Sequence, residues 1–227
     1  IILGGLSSSF FLFQLNKAIR LVMLGSPDDR FDSWGIRIKE VLFGWLGQKK
    51  VLRDRVAGTM HVLMFWGFLM LASDMLDLAT ANFFSDKILP ELLIGPWNGV
   101  VELGYLSALV GASAALIRRV VFTPEKLKGK SQLEGNFILI LILTITTTSF
   151  IIESKEDPIP WEPIGVWVET LGLSDSFAIA SYWAHMLAIF TFLVLIPLSK
   201  HMHLVMAFPN VFFHDIEPMG KMRPLAV

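Results

Sequence analysis

The sequence predicts an all-α protein, a five-helix transmembrane bundle with one short interfacial helix. Three observations predict it. Hydrophobic residues fill 54% of the 227 positions and the mean hydropathy is +0.61. Charged residues make up 17%, against about 25% in an average soluble domain. Five stretches approach the ~20 mostly apolar residues that a spanning helix needs, and Lys and Arg are sorted between the connections. The composition excludes disorder, which needs low hydrophobicity and high net charge. A net charge of −1 gives no reason to expect nucleic acid as a partner, while membrane lipid is one. With no Cys, these residues supply no disulfide, zinc–thiolate site or cysteine-ligated cluster.

The first stretch, 1–24, begins at Ile inside apolar sequence. No basic region or cleavage site precedes it, so it reads as a span with a trimmed, processed or disordered start and not as a signal peptide. In the following loop, Trp34, Ile36, Ile38, Val41, Leu42, Trp45 and Leu46 alternate with Arg37, Lys39 and Glu40, the pattern of a helix lying on the inner leaflet. The other stretches are 56–76, 97–117, a short one at 136–152 and a long one at 177–208. Between the last two, residues 153–161 (ESKEDPIPW) read as an ordered cap. Of the 19 Lys and Arg, all but Lys87 and Lys155 fall on one side of this arrangement. The positive-inside rule makes that side cytoplasmic. The expectation is a multi-pass protein of a cell inner or plasma membrane, N-terminus outside, with a five-helix domain over 1–209 and a cytoplasmic tail over 210–227.

Four of the five histidines, His61, His185, His201 and His203, fall in or at the ends of two predicted spans. Ionisable groups there are costly and usually functional. On one unbroken helix, His185 and His203, 18 residues apart, complete five turns at about 100° per residue and point the same way. At about 1.5 Å per residue they lie roughly 27 Å apart along the axis, and His61 sits roughly 8 Å inside the cytoplasmic end of its own helix. His61 and His203 thus match in depth, as two axial ligands of one haem b require. His201 is the fallback ligand if the helix unwinds near Pro197, and Gly58 and Gly67 would give the macrocycle room. A second haem on His185 would need a ligand near Leu71, where Met70, Met75 or a partner subunit are the alternatives. His185, Asp74 and Glu102, with Ser73, Asp77 and Glu153 nearby, resemble proton-handling groups around a quinone headgroup.

Residues 185–209 (HMLAIFTFLVLIPLSKHMHLVMAFP) resemble the last spanning helix of the respiratory nitrate reductase gamma subunit, a five-helix di-haem cytochrome b. Residues 55–71 (RVAGTMHVLMFWGFLML), Arg118–Arg119 and the run SKHMHLVMAFPNVFFHDIEP are more similar still to the membrane domain of heterodisulfide-reductase-like iron–sulfur oxidoreductases, including electron-transfer-flavoprotein:menaquinone oxidoreductases. The resemblance covers nearly the whole chain. It implies that His61 and His203 ligate the cytoplasmic-side haem and that His185 matches an outer-haem ligand. Leu71 departs from the di-haem pattern, so one haem b is expected. It further implies a cytoplasmic iron–sulfur protein or domain as partner and quinone, menaquinone first, as the other reactant. The chain would then be the membrane part of a quinone-linked oxidoreductase. The alternative from another class is a haem-free membrane anchor or small transporter with structural histidines.

Overall fold

Eight α-helices and no strand occur among the described residues, which in this computed structural model are 2–26, 28, 30–84, 91–122, 130–155 and 161–216, with side chains described outside 74–84, 91–94 and 130–131. The helices are α1 (Ile2–Val22), α2 (Trp34–Glu40), α3 (Arg55–Phe84), α4 (Glu91–Val121), α5 (Lys130–Glu153), α6 (Pro163–Glu169), α7 (Asp175–Leu198) and α8 (His203–Phe212). Four segments among the described residues are long and apolar enough to cross a membrane: Arg55–Ser73, Gly95–Val121, Gln132–Glu153 and Asp175–Leu198. They correspond to the second to fifth stretches of the sequence. The first stretch forms α1, yet Gly4, Gly5, the serines at 7–9, Gln14, Asn16 and Lys17 dilute it, and it falls short of the other four. Parts of the expected connections and of the tail, including Lys87, Lys126 and 217–227, lie outside the described residues.

The chain divides into two compact units, one of Ile1–Lys50 with Val194–Val227, the other of Val51–Leu193. In the second unit α3 packs on α4 along a seam of small residues. Lipid tails give no hydrophobic force that sorts helix from helix, so close backbone approach and dispersion must hold the pair. A Cβ built on Gly67 would lie 2.5 Å from the Ala108 Cβ and 2.6 Å from the Gly104 carbonyl oxygen. One on Gly111 would lie 2.8 Å from the Met60 carbonyl oxygen. The Ser107 hydroxyl donates across the seam to the Leu63 carbonyl at 2.6 Å. Next to it, buried Ala112, Ala115 and Leu139 join α4 to α5, with Met60 and Met64 of α3 packed against them. Further along α4, Val101 and Tyr105 pack with Phe150 of α5 and Val168 of α6, and Leu71 of α3 lies against that cluster.

The fifth stretch is not one helix. Pro197 has no N–H to donate back along α7, and α7 ends at Leu198. Ser199 is extended, with φ −125° and ψ 174°, and its hydroxyl accepts from the His201 backbone N–H at 3.1 Å. A single 3-10 turn, Lys200–Met202, then leads into α8. The five-turn relation between His185 and His203, which assumed an unbroken helix over 177–208, therefore does not apply. α8 itself runs through residue 210 to Phe212.

In the first unit α2 continues as a π-helical turn over Val41–Leu46, and α8 packs on both. Ring contacts join them, Trp45 to Phe208 at 5.3 Å and Trp34 to Phe212 at 5.4 Å between centroids. The last carbonyls of a helix lack helical donors. Here two guanidiniums supply them. Arg37 donates to the carbonyls of Phe212 at 2.8 Å and His214 at 3.1 Å, and Arg30 donates to that of Phe213 at 2.7 Å. Arg37 also donates to the Asp32 carboxylate at 2.7 Å, and this hydrogen bond holds the Asp32 carboxyl below its usual range. A group with a depressed folded pKa adds stability above its unfolded pKa and loses it as pH falls through the folded value. Protection of α2 and α8 against amide exchange, corrected for intrinsic rates, should therefore be full above the ordinary carboxylate range and fall as pH drops from that range through the lower folded value of Asp32. In Asp32→Asn that acid step should vanish.

Candidate functional site

His185 stands half-buried on α7, facing α5. Its Nδ1 lies 2.9 Å from the Thr148 Oγ1 and 3.2 Å from the Ile145 carbonyl oxygen. A carbonyl can only accept, and the Thr148 hydroxyl spends its hydrogen on the Thr144 carbonyl at 2.6 Å. The proton assigned by these acceptors sits on Nδ1, so Nε2 carries the basic lone pair. The run Thr144, Thr146, Thr147, Thr148, Ser149 is the sequence signal for this polar strip inside an apolar helix.

The two histidines after the helix break differ. His203 Nδ1 donates to the Lys200 carbonyl at 2.9 Å, which again puts the lone pair of the neutral ring on Nε2. His201 Nδ1 faces the Ser199 hydroxyl at 2.9 Å, a group that can donate or accept, so its tautomer is not fixed in the same way. Their rings lie 6.1 Å apart. Metal-bound imidazoles commonly donate their second nitrogen to a carbonyl or carboxylate. By that measure the Nδ1 partner of His203 fits a haem ligand. His61 is half-buried on α3.

Glu102 is 2% exposed on α4. Its Oε1 accepts from the backbone N–H groups of Ile164 at 2.8 Å and Gly165 at 2.7 Å. These are among the first amides of α6, whose own N-cap, Glu162, makes no capping side-chain bond. A carboxylate from another helix thus caps α6. Trp161 sits beside it on Gly95 and Gly99, where added Cβ atoms would come within 2.7 Å of its Cδ1 and carbonyl oxygen. Gly95, Gly99 and Glu102 share one face of α4 and together seat the 161–169 segment. Glu102→Ala strips two amides of their acceptor and should cost about 1–3 kcal/mol in thermal unfolding. Glu102→Gln keeps a carbonyl acceptor and should lose less.

Gly58 and Gly67 are both packed by protein. A Cβ on Gly58 would meet the Val51 carbonyl oxygen, and one on Gly67 would meet α4. Their observed role is close backbone approach, in place of room for a macrocycle. Met70 packs on Gly104. Asp74 lies on α3, and its side chain, like that of Met75, falls outside those described.

Two curated relatives align with nearly the whole chain. One, from Bacillus subtilis (strain 168), is described as a probable iron–sulfur-binding oxidoreductase, FadF, and is 27% identical over 230 residues, 95% of this chain and 32% of its own length. The other, the EtfAB:quinone oxidoreductase of Syntrophomonas wolfei subsp. wolfei, is 29% identical over 236 residues, 94% of this chain and 33% of its own length. The chain spans about a third of each relative. No family model matches the chain, and no solved structure matches it. The chain is thus a distant homologue of iron–sulfur and quinone-linked oxidoreductases, with four helices of membrane-spanning length and composition among its described residues.

Proposed function

We propose that this chain is the haem b-carrying membrane part of a quinone-linked iron–sulfur oxidoreductase, conveying electrons between a cytoplasmic iron–sulfur partner and membrane quinone, menaquinone first. The alignment with a quinone oxidoreductase along 94% of the chain carries the proposal. We assign His61 and His203 to the haem iron, with His201 as the alternative. The preference for His203 rests on its Nδ1–H bond to the Lys200 carbonyl, which turns a basic Nε2 outward from the backbone. Haem, when bound, supplies one-electron transfer. We also propose that α1 is the fifth span, so that the N-terminus lies outside and the tail in the cytoplasm, on the Lys and Arg asymmetry.

His185 is the proton-handling group of the quinone site in this reading. With Nδ1–H held by Ile145 and Thr148, Nε2 can take a proton from a reduced quinone and pass it on. Asp74, read from the sequence, is the carboxylate proposed to pass that proton to water. Glu102 serves as a positioning residue, since its carboxylate holds the 161–169 segment. His185→Ala should leave haem content unchanged and slow quinone-linked turnover of the holoenzyme. Unchanged turnover would make His185 structural, and loss of a haem would make it an iron ligand.

A further inference from the structure

The segment formed by α2 and its π-helical turn is inverted relative to an amphipathic helix on a soluble protein. Its buried residue is a cation, Arg37, 2% exposed, while Ile36, Ile38, Leu42 and Phe43 are 48–61% exposed. The inversion is held in place. Arg37 donates to Asp32 and to the carbonyls that end α8, and Gly44 on the same inward face lies against Val211 of α8. Turning Ile36, Ile38 and Phe43 inward would break all of these bonds. The chain therefore keeps an apolar stripe on the surface of this unit while its charge is spent inside. The exposed charges on this segment that no ion pair engages are basic: Lys39 within the stripe, and Lys49 and Lys50 directly after the turn, while Glu40 is half-buried and the exposed Asp32 carboxylate is paired with Arg37.

We propose that this stripe is a binding surface for anionic membrane lipid, with acyl chains against Ile36, Ile38, Leu42 and Phe43 and headgroup phosphates on Lys39, Lys49 and Lys50. The charge pattern selects this occupant. A second copy of the chain would bring the same lysines against each other, whereas phosphates complement them. An apolar face with a long lysine side chain that can reach the headgroups, followed by further lysines, fits a helix that lies in the headgroup boundary. The proposal rests on the chain being a membrane protein and is independent of the haem assignment.

The chain has no native Cys, so single-cysteine spin labels can be placed cleanly. Labels at Ile38 and Phe43 of the full chain would be compared with one at Leu103, which is exposed on α4. The hosts are nanodiscs of phosphatidylcholine alone and discs in which about one lipid in three is phosphatidylglycerol. In the anionic discs both labels should favour oxygen over a nickel chelate several-fold more than in the neutral ones, approaching Leu103. Lys39→Gln/Lys49→Gln/Lys50→Gln should remove the difference between the two lipids. Water-like accessibility at Ile38 and Phe43 in both discs, with Leu103 lipid-like, overturns the proposal. So does accessibility that ignores phosphatidylglycerol, or dipolar broadening between labels, which would mark a second copy. A water-like Leu103 label would instead undo the membrane reading itself.

Discussion

Replacing His61 by Ala should abolish the haem absorbance of the purified chain, and His203→Ala should do the same, while His201→Ala should keep it. A bis-imidazole iron needs two nitrogens with free lone pairs, and losing either leaves a site that no other described His on α3 can restore. The distinction between His203 and His201 comes from their Nδ1 partners. The Lys200 carbonyl commits His203 to the tautomer with its lone pair on Nε2, the arrangement common among metal-bound imidazoles. The Ser199 hydroxyl is already engaged with the His201 backbone N–H, so His201 serves the turn that follows the helix break. Removing an outer partner of a metal ligand typically weakens binding about 10–100-fold, and removing the ligand itself should weaken it further. Absorption spectra of the three variants at equal protein concentration check this. An intact bis-imidazole spectrum in His203→Ala together with its loss in His201→Ala would reverse the assignment.

Gly67→Leu should unfold the α3–α4 pair or lower its thermal stability more than any substitution on α1. Two effects oppose each other at this glycine. Replacing Gly within a helix gains about 0.5–1 kcal/mol of conformational entropy. Against that, the new Cβ would sit 2.5 Å from the Ala108 Cβ and 2.6 Å from the Gly104 carbonyl oxygen. Neither can rotate away, because one is a methyl fixed to the backbone and the other is the backbone. Overpacking costs about 1–3 kcal/mol for added methylenes in a tight core, and Leu adds a full side chain where even Ala is too large. Sterics therefore win. Gly5 is the control, since nothing lies within 4 Å of a Cβ built there. Gly5→Ala should be neutral or mildly stabilising. Thermal unfolding in detergent, followed by circular dichroism, compares the two.

Much of the helical plan was legible because apolar runs are a direct signal of burial in lipid. The stretch at 136–152 was placed correctly but drawn short, since Gln132, Glu134 and Gly135 hide the start of α5. The break at Ser199 was harder to read. Membrane helices tolerate Pro, so Pro197 alone does not decide between a kink and an end. What ends α7 is the extended Ser199 and the turn it caps. α6 escaped notice for a physical reason. It has seven residues, and the cap that satisfies its first amides comes from Glu102, some 60 positions earlier. No local pattern carries that information. The glycines show the same limit. From sequence Gly58 and Gly67 read as room for a macrocycle, and only the fold shows that a 3-10 turn and α4 approach them. At the histidines, the Lys200 partner of His203 is local, whereas the Ile145 and Thr148 partners of His185 come from another helix.

The haem content of the purified, unmodified chain tests the central claim most directly. Pyridine haemochrome analysis with a reduced-minus-oxidised spectrum should give one low-spin b haem per chain. A chain that binds none when expressed and purified with haem supplied would contradict the account and leave a membrane anchor with structural histidines.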